Sequence, residues 1–447
     1  MPDDGTPRAL DAVRRSAQPL TGAATDFDPI LQMVDNARFV LIGEASHGTS
    51  EFYAMRTAIT KRLIAEKGFT AVAIEGDWPD AYQVNRYVRG ASDAHNADEA
   101  LRGFERYPVW MWRNHVVLEF VEWLRRYNDA QFDPLTRAGF YGLDLYSLYS
   151  SIDAVLRYLE QVDPEAAKRA RERYSCFEHF HQDSQRYGYA TTFGGAEPCE
   201  ADAVAQLVEL REHAAQYMQS GTLLTDDEYF YAEQNALVAR DAEEYYRTMF
   251  YGNVSSWNLR DKHMARTLDA LATHLARTRG HAKIVVWAHN SHLGDARATE
   301  LGAQGELNLG QLVRERYNKE ACLIGFTTYQ GDVTATANWD EEAQRKRVRP
   351  ALSGSYEALF HEVGIPRFIL PLHTDNLDAA LRPARLERAI GVVYRPETER
   401  LSHYFFADLP AQFDAVIHLD ETTAVKPLED NHMWLTGEAP ETYPTAL

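Results

Sequence analysis

The sequence predicts an α/β fold with a mostly parallel central sheet, flanking helices and a long helical insertion. Short β-branched and apolar segments recur along the chain, and several are apolar at consecutive positions. That pattern is typical of strands that are covered on both faces. Helical patterns separate the early segments, and such alternation is characteristic of α/β proteins. From about residue 150 to 280, long helical patterns instead follow one another without a convincing strand.

Eight apolar segments are the predicted strands. In chain order they are RFVLIG (38–43), TAVAIE (70–75), AGFYGLD (138–144), KIVVWA (283–288), CLIGFT (322–327), RFILPL (367–372), IGVVYR (390–395) and DAVIHL (414–419). The segment SEFYAMRTAITKRLIAEKG (50–68) predicts an amphipathic helix that ends at Gly68. NHVVLEFVEWLRRYND (114–129) shows the same helical pattern before the third strand. We expect the charged run DEEAQRKRVRP (340–350) to be a solvated loop.

The chain of 447 residues exceeds what a single hydrophobic core usually organises. We predict a first part of the α/β core over residues 1–149 and the helical insertion over residues 150–280. A second part of the core follows over residues 281–447, and it could include a small α+β subdomain.

The composition disfavours several classes of partner. The formal net charge is −20, which repels phosphate backbones and anionic lipids, so we expect neither nucleic acid nor a membrane surface as partner. No apolar run approaches the length of a membrane helix, and the first residues lack the apolar core of a secretory signal. We therefore predict a cytoplasmic protein. The three cysteines, Cys176, Cys199 and Cys322, are far apart and are expected to form no disulfide framework.

Ionisable side chains follow four successive predicted strands at the point where each strand ends. They are Glu44 and His47, then Glu75 and Asp77, then Asp144, and finally His289 and His292. Loops at the carboxyl ends of parallel strands converge on one crevice, so these groups are expected to meet. Each one alone is explained as well by a helix cap or a surface position. Burying several together is costly unless they pair or bind something, which favours a functional site.

Several standard catalytic motifs are absent from the sequence. It contains no G-x-S-x-G, H-E-x-x-H, Walker or G-x-G-x-x-G motif. Two chemistries then remain open for imidazoles and carboxylates. A histidine oriented by a carboxylate can take a proton from water, or histidines and carboxylates can hold a divalent metal that acidifies its water. Sequence spacing does not separate the two.

Three segments resemble the erythromycin esterase family. They are LIGEASHGTSEFYAMR (41–56), AIEGDWPDA (73–81) and WAHNSHLGD (287–295), in that order and with a helical insert before the third. The likeness extends from about residue 25 to 435. It implies hydrolysis of the macrolactone ester of 14-membered macrolides, carried out without a metal or other cofactor.

The resemblance also implies roles for individual residues. His47 looks like the general base that activates water, and Glu44 and Glu75 would line the same cleft. Arg56 matches the family's arginine, and His289 and His292 match its second histidine pair. Arg56 or a protonated His289 would then stabilise the oxyanion.

Three further residues are candidates for binding the substrate. The segment NLRDKHMA (258–265) also looks like a family segment, and from it Arg260 could reach the cleft. Asp77 and Asp144 are the other two candidates, since Asp77 follows the second predicted strand and Asp144 ends the third.

Three functions compete at this point. The first is a carboxylic ester hydrolase that acts on a small-molecule ester or lactone, with macrolactones as one substrate class. The second is a metal-dependent hydrolase built on the same glutamates and histidines. The third is a protein that binds a small molecule without turning it over.

Overall fold

The computed structural model describes residues 5–180, 182–218, 223–374, 377–382, 384–429 and 434–435. The strands are β1 Gln18–Pro19, β2 Phe39–Ile42, β3 Ala71–Asp77, β4 Gly139–Asp144, β5 Ile284–Trp287, β6 Ala321–Ala335, β7 Gln344–Val348, β8 Arg367–Pro371, β9 Arg385–Arg388, β10 Tyr404–Ala407 and β11 Ala415–Thr422.

Helices surround these strands. Before β5 they are α1 Gly5–Ser16, α2 Asp28–Val34, α3 Ser50–Lys67, α4 Trp78–Val88, α5 Ala97–Leu101, α6 His115–Asp129, α7 Leu148–Val162, α8 Pro164–Tyr174, α9 Ser184–Thr192, α10 Glu200–Glu212, α11 Ala214–Tyr217, α12 Leu223–Thr248 and α13 Asn253–Arg279. After β5 they are α14 Asn290–Leu293, α15 Glu300–Ala303, α16 Leu309–Tyr317, α17 Tyr356–Glu362, α18 Leu377–Leu381, α19 Glu399–Ser402 and α20 Leu409–Gln412. Short 3₁₀ helices span Val109–Met111, Pro134–Thr136, Ser175–Phe180, Ala296–Ala298, Asn318–Glu320 and Pro396–Thr398.

The central sheet confirms the predicted fold class. Its strand order in the described residues is β1-β8-β11-β6-β2-β5-β3-β4, with β7 paired to β6. The pairs from β11 to β4 are parallel, whereas β1, β7 and β8 pair in the antiparallel sense. Every residue of β2, β3, β4 and β5 is buried, as their continuous apolar sequences predicted. A separate ribbon pairs β9 with β10.

Alternate residues of the central strands pack into two layers of core. Ile42 and Trp287 face the layer formed with α3 and α6, which contribute Phe52 and Phe120. Leu41 points to the other face of the sheet. It belongs to the opposite layer of core, to which α13, α16 and α17 contribute. The predicted helix at 50–68 is confirmed as α3, and Gly68 ends it with a left-handed φ of 69°.

Helices α7 to α13 form the insertion between β4 and β5, and α7 to α12 contribute residues to a third apolar cluster. A disulfide joins Cys176 and Cys199 within it, with their Cα atoms 6.1 Å apart. For this pair the expectation of no disulfide was wrong. The chain turns back through α9, which brings Cys199 close to Cys176. Cys322 is buried and free, as a small apolar core residue. The division at residues 149 and 280 stays a prediction.

Two local predictions were wrong. IGVVYR (390–395) forms no strand; Ile390 and Val393 make isolated bridges to Ser46 and Thr336. The charged run 340–350 contains the strand β7, in which Lys346 and Val348 are buried while their neighbours point outward. Charged residues are common in such edge strands, because they discourage pairing with another chain. In the part of the chain that is described, no helix is both long enough and apolar enough to cross a membrane.

Candidate active site

The candidate site lies where β2, β3 and β5 end beside one another. Ile42 is in register with Trp287, which is also in register with Ile74, so the residues after these strands emerge at one level. The backbone N–H of Asn290 donates to the carbonyl of Glu44 at 2.8 Å. The backbone N–H of His289 donates to Glu75 Oε2, also at 2.8 Å. The three strand ends are therefore joined directly by hydrogen bonds.

The turn after β2 needs glycine at two positions because other chain segments approach it closely. A Cβ atom at Gly43 would collide with the side-chain oxygen of Asn290, and one at Gly48 with the backbone of Thr334. Neither glycine is among those with positive φ. Close approach, and not left-handed backbone, is thus what excludes larger residues. The Tyr53 hydroxyl then donates to the His47 carbonyl at 2.7 Å and fixes the turn.

His47 is held in one orientation with one ring nitrogen left free. Its Nδ1 lies 2.9 Å from Glu44 Oε1, so Nδ1–H donates to the carboxylate and the proton-accepting lone pair remains on Nε2. Nε2 lies 4.0 Å from Glu75 Oε1. The residue is 7% exposed. This is the arrangement that a general base requires.

Arg56 lies behind Glu44. Its Nη2 is 2.8 Å from Glu44 Oε2, and its guanidinium packs over the rings of Tyr53 and Trp287 at 4.5 and 5.3 Å. It is completely buried. Arg56 therefore holds Glu44 in place, and its role as an oxyanion donor stays a prediction.

His289 faces His47, with the ring centroids 4.8 Å apart. Its Nδ1 accepts the backbone N–H of Ser291 at 3.2 Å and lies 2.8 Å from the Ser291 hydroxyl. The ring proton is therefore on Nε2, which is buried and has no hydrogen-bond partner among the described residues. Burial, followed by the nearby His47, lowers the pKa of His289 to about 3. His289 is thus a neutral donor and not the protonated donor that the sequence suggested.

Glu75 is kept ionised at the centre of the site. Arg260 Nη2 donates to Glu75 Oε1 at 2.8 Å, while its Nε donates to Asp144 Oδ1 at 2.9 Å. Burial alone would raise the pKa of Glu75, but the charges of His292 and Arg260 hold it well below 4.5. The pKa of Asp144 is lowered against burial by the same arginine. Arg260 and Asp144 thus orient Glu75.

His292 forms the outer edge of this network. Its Nδ1 donates to Asp261 at 2.9 Å, its Nε2 lies 3.3 Å from Glu75 Oε1, and its ring stacks on Trp257 with centroids 4.4 Å apart. Burial by itself would lower the pKa of His292, but Asp261 and Glu75 raise it to about 9. His292 therefore carries a positive charge at neutral pH.

Asp77 lies beside Asp144, with which it is in register across β3 and β4. Arg106 Nε donates to Asp77 Oδ2 at 2.7 Å, and Oδ1 has no hydrogen-bond partner in the described structure. Burial raises the pKa of Asp77. Arg106 and Arg260 lie at 4.6 and 4.9 Å from the ring of Tyr146, so this end of the site borders the helical insertion.

The structure brings all nine predicted site residues into one network, but the sequence missed several of their partners. They are Arg106, Tyr146, Trp257, Asp261 and Ser291. Asp261 directly follows Arg260. Trp257 precedes Arg260 by three positions and so lies on the same helix face, and treating that segment as a helix could have found both residues. Nothing in the sequence pointed to Arg106 or Tyr146, whose places depend on tertiary packing.

The described residues contain no group of three or more histidine, cysteine, aspartate or glutamate side chains placed to hold one metal ion. Glu75 Oε1 is shared by Arg260 at 2.8 Å, His292 at 3.3 Å and His47 at 4.0 Å, whereas Glu44 and Asp261 have partners of their own. Glu44 pairs with His47 and Arg56, and His292 pairs with Asp261. The side chains of the site form a hydrogen-bonded network of paired acids and bases.

Comparison with known proteins shows which family contains this chain. The family model described as erythromycin esterase matches residues 64–422. The chain belongs to the erythromycin esterase family. The matched range includes Glu75, Arg260, His289 and His292. It begins after Glu44, His47 and Arg56, whose placement in the site depends on the geometry described above.

Individual relatives are distant but cover much of the chain. YbfO of Bacillus subtilis (strain 168), provisionally named a hydrolase, is 24% identical over 92% of this chain and 90% of its own length. Erythromycin esterase type II from Escherichia coli is 23% identical over 69% of this chain and 73% of its own. A solved structure from Bacillus cereus shares the fold with a TM-score of 0.79 at 22% identity, covering 95% and 99% of the two chains. The family and these names indicate a hydrolase.

Proposed function

We propose that this erythromycin esterase family member hydrolyses a carboxylic ester or lactone with a water molecule activated by His47. The observation that carries the proposal is the Glu44–His47 pair, which leaves Nε2 of a buried, oriented imidazole free to accept a proton. Glu75 Oε1 lies 4.0 Å from this atom, and the centroid of the His289 ring lies 4.8 Å from that of the His47 ring. Macrolactones are one substrate class, as the names of the esterase relatives suggest.

In the proposed reaction His47 acts first as a base and then as an acid. His47 Nε2 takes a proton from water as the water oxygen attacks the ester carbonyl carbon. Nε2–H of the neutral His289 donates to the oxyanion that develops on the former carbonyl oxygen. The imidazolium of His47 then gives its proton to the departing alkoxide, and the products are a carboxylic acid and an alcohol, or the opened hydroxy acid of a lactone. Glu44 stabilises the positive charge on His47 between these steps.

Glu75 has a different role in this scheme. It is ionised and lies 4.0 Å from His47 Nε2, close enough to accept a hydrogen bond from the second O–H of the attacking water and to stabilise the imidazolium. Arg260 and His292 balance the charge of Glu75 and hold the carboxylate in position. They also keep its pKa low, so Glu75 does not take up the proton. We therefore assign proton transfer to His47 and water orientation to Glu75.

The test is hydrolysis by the His47→Ala variant. We expect the wild-type protein to cleave members of a panel of macrolides, lactones and activated esters, with product masses increased by one water. His47→Ala should lose this activity while circular dichroism shows that the variant remains folded at the assay temperature. Full activity in the variant would refute the assignment of the base. Loss of wild-type activity after chelation, with recovery on adding a divalent metal, would favour the metal-dependent alternative.

A further inference from the structure

Two fully buried glutamates, Glu357 of α17 and Glu387 of β9, take no part in the reaction proposed above. Glu357 Oε1 accepts the backbone N–H of Arg388 at 2.8 Å, whereas its Oε2 has no hydrogen-bond partner among the described residues. Neither carboxyl oxygen of Glu387 has a hydrogen bond of regular geometry within that part of the chain. Unpaired carboxylate oxygens are costly in a protein interior, so the charge of this pair requires an explanation.

The cation beside the pair is engaged elsewhere. Arg388 is 2% exposed, its Nη1 lies 3.1 Å from Oε1 of the buried Glu399, and its Nη2 donates to two backbone carbonyls of β6. Arg385 lies on the same face of β9 as Glu387, but its Nε and Nη2 donate to no described group. One guanidinium is thus shared by Glu357 and Glu399, and the described structure pairs no cation with Glu387.

The surroundings of Glu387 favour its neutral form. Burial, followed by the charge of Glu357, raises the pKa of Glu387 to about 8, although the side-chain amides of Gln412 and Asn290 lie close to it and favour the carboxylate. Burial also raises the pKa of Glu357. Tyr356 of α17 is another titratable group near this carboxyl, and burial raises its pKa as well, so it is uncharged. Two adjacent carboxyl groups ionise one after the other, because the first charge opposes the second.

The strand that carries Glu387 continues into a segment that binds the turn bearing His47. The backbone N–H of Ile390 donates to the carbonyl of Ala45 at 2.8 Å, and the backbone N–H of His47 donates to the carbonyl of Ile390 at 3.3 Å. These bonds form the isolated parallel bridge between Ile390 and Ser46. Two residues separate Glu387 from Ile390, so a displacement of β9 would reach His47 through backbone hydrogen bonds.

Asn290 is a second connection between Glu387 and the site. Its backbone N–H donates to the carbonyl of Glu44 at 2.8 Å, and its Nδ2 donates to the carbonyl of Phe326 at 2.7 Å. It also directly follows His289 in the sequence. A carboxylate is a stronger hydrogen-bond acceptor than a backbone carbonyl, so an ionised Glu387 would draw the Asn290 amide away from β6. A neutral Glu387 leaves that amide where it is.

We propose that Glu387 is a positioning residue of the site and that it acts in its neutral form, with one proton shared between Glu387 and Glu357. In this state Asn290 and the turn at His47 are held in the arrangement described above. Loss of the proton displaces both. The inference rests on the proposed function for its effect on hydrolysis, but the shared proton can be tested on the folded protein without a substrate.

The first test compares urea midpoints of unfolding across pH. The Glu387 carboxyl ionises near 4.5 in an unfolded chain and near 8 in the folded protein, so its contribution to stability is complete below pH 4.5 and is lost as pH rises towards 8. We expect the midpoint of Glu387→Gln, which cannot ionise, to rise relative to that of the wild type over this range. Glu357→Gln removes the neighbouring charge and should lower the pKa of Glu387, so the loss should end at a lower pH.

Glu397→Gln is the control, because it removes an exposed carboxylate. Its midpoint should differ from that of the wild type by the same amount at every pH. A pH-independent difference between Glu387→Gln and the wild type would overturn the shared proton.

The second test measures the pH dependence of hydrolysis with an ester that the wild type cleaves. We expect kcat to fall above pH 8 with little change in KM, and Glu387→Gln should move this fall to higher pH. Glu387→Ala should lower kcat at neutral pH about tenfold through misalignment of His47, and Glu387→Gln should recover most of that loss. Both variants are assayed where circular dichroism shows them to be folded.

The outcomes separate the two proposals. An unchanged pH profile in Glu387→Gln, or a wild-type kcat in Glu387→Ala, would overturn the positioning role while hydrolysis stands. If no ester is cleaved while the urea midpoints behave as expected, the proposed hydrolysis fails and the shared proton stands.

Discussion

Replacing Arg56 with methionine tests whether the buried Arg56–Glu44 pair supports the site. Arg56 is fully buried, and its Nη2 lies 2.8 Å from a carboxylate that is 1% exposed. Removing the arginine leaves the buried Glu44 carboxyl without its ion-pair partner, which typically costs about 3–5 kcal/mol. With a urea m-value of about 3 kcal/mol/M, the unfolding midpoint should fall by more than about 1 M. Methionine retains much of the stacking on Tyr53 and Trp287, so the loss reports mainly on the charge.

Arg126→Met is the matched control. Arg126 is 70% exposed and lies 3.7 Å from Glu122, so its loss should change the free energy of unfolding by less than about 0.5 kcal/mol. Combining Arg56→Met with Glu44→Gln should cost less than the sum of the two single changes, because no uncompensated charge remains. The reasoning is refuted if Arg56→Met destabilises no more than Arg126→Met, or if the double variant is additive.

The same variant should also impair hydrolysis. Without Arg56, Glu44 loses one of the two groups that define its position, and the His47 ring becomes less well oriented. Misplacement of a catalytic group by about 1 Å can cost about 100-fold in rate. We expect kcat to fall while KM changes little. Both should be measured without urea and at a temperature well below the melting transition.

Three further predictions concern pH and redox state. Because the pKa of His292 is raised to about 9, its contribution to stability is complete below pH 6.5 and is lost as pH rises through 9. The urea midpoint of the wild type should therefore fall across this pH window, and Asp261→Asn should make the midpoint depend less on pH. Because the pKa of His289 is lowered to about 3, stability should fall as pH drops from 6.5 towards 3, and His289→Gln should remove part of that fall. Reducing the Cys176–Cys199 disulfide should cost about 3 kcal/mol for a 23-residue separation, and an unchanged urea midpoint in dithiothreitol would contradict this.

Much of the fold followed from local patterns in the sequence. Seven of the eight predicted strands overlap strands of the structure, and the helices at 50–68 and 114–129 form as expected. These elements are long runs with a clear period, so burial and propensity agree. The segment 390–395 failed because its apolar residues pack against the turn at Ser46 and against Thr336 without a continuous partner strand.

The candidate site was predictable in its members but not in its pairings. A strand end places a side chain at the crevice, and the sequence shows which residues follow each strand. It does not show that Arg56 turns behind Glu44 or that Asp261 binds His292. Such contacts join residues that are remote in sequence, and their distances depend on how whole helices pack on the sheet.

The sequence by itself determined the α/β class, the helical insertion and the clustering of Glu44, His47, Glu75, His289 and His292, because these depend on periodicity and chain order. Tertiary structure alone decided which groups are charged. His289 and His292 are three residues apart, yet burial keeps one neutral while Asp261 keeps the other protonated. Solvent exclusion and the positions of distant charges set a protonation state, and neither is a property of the local sequence.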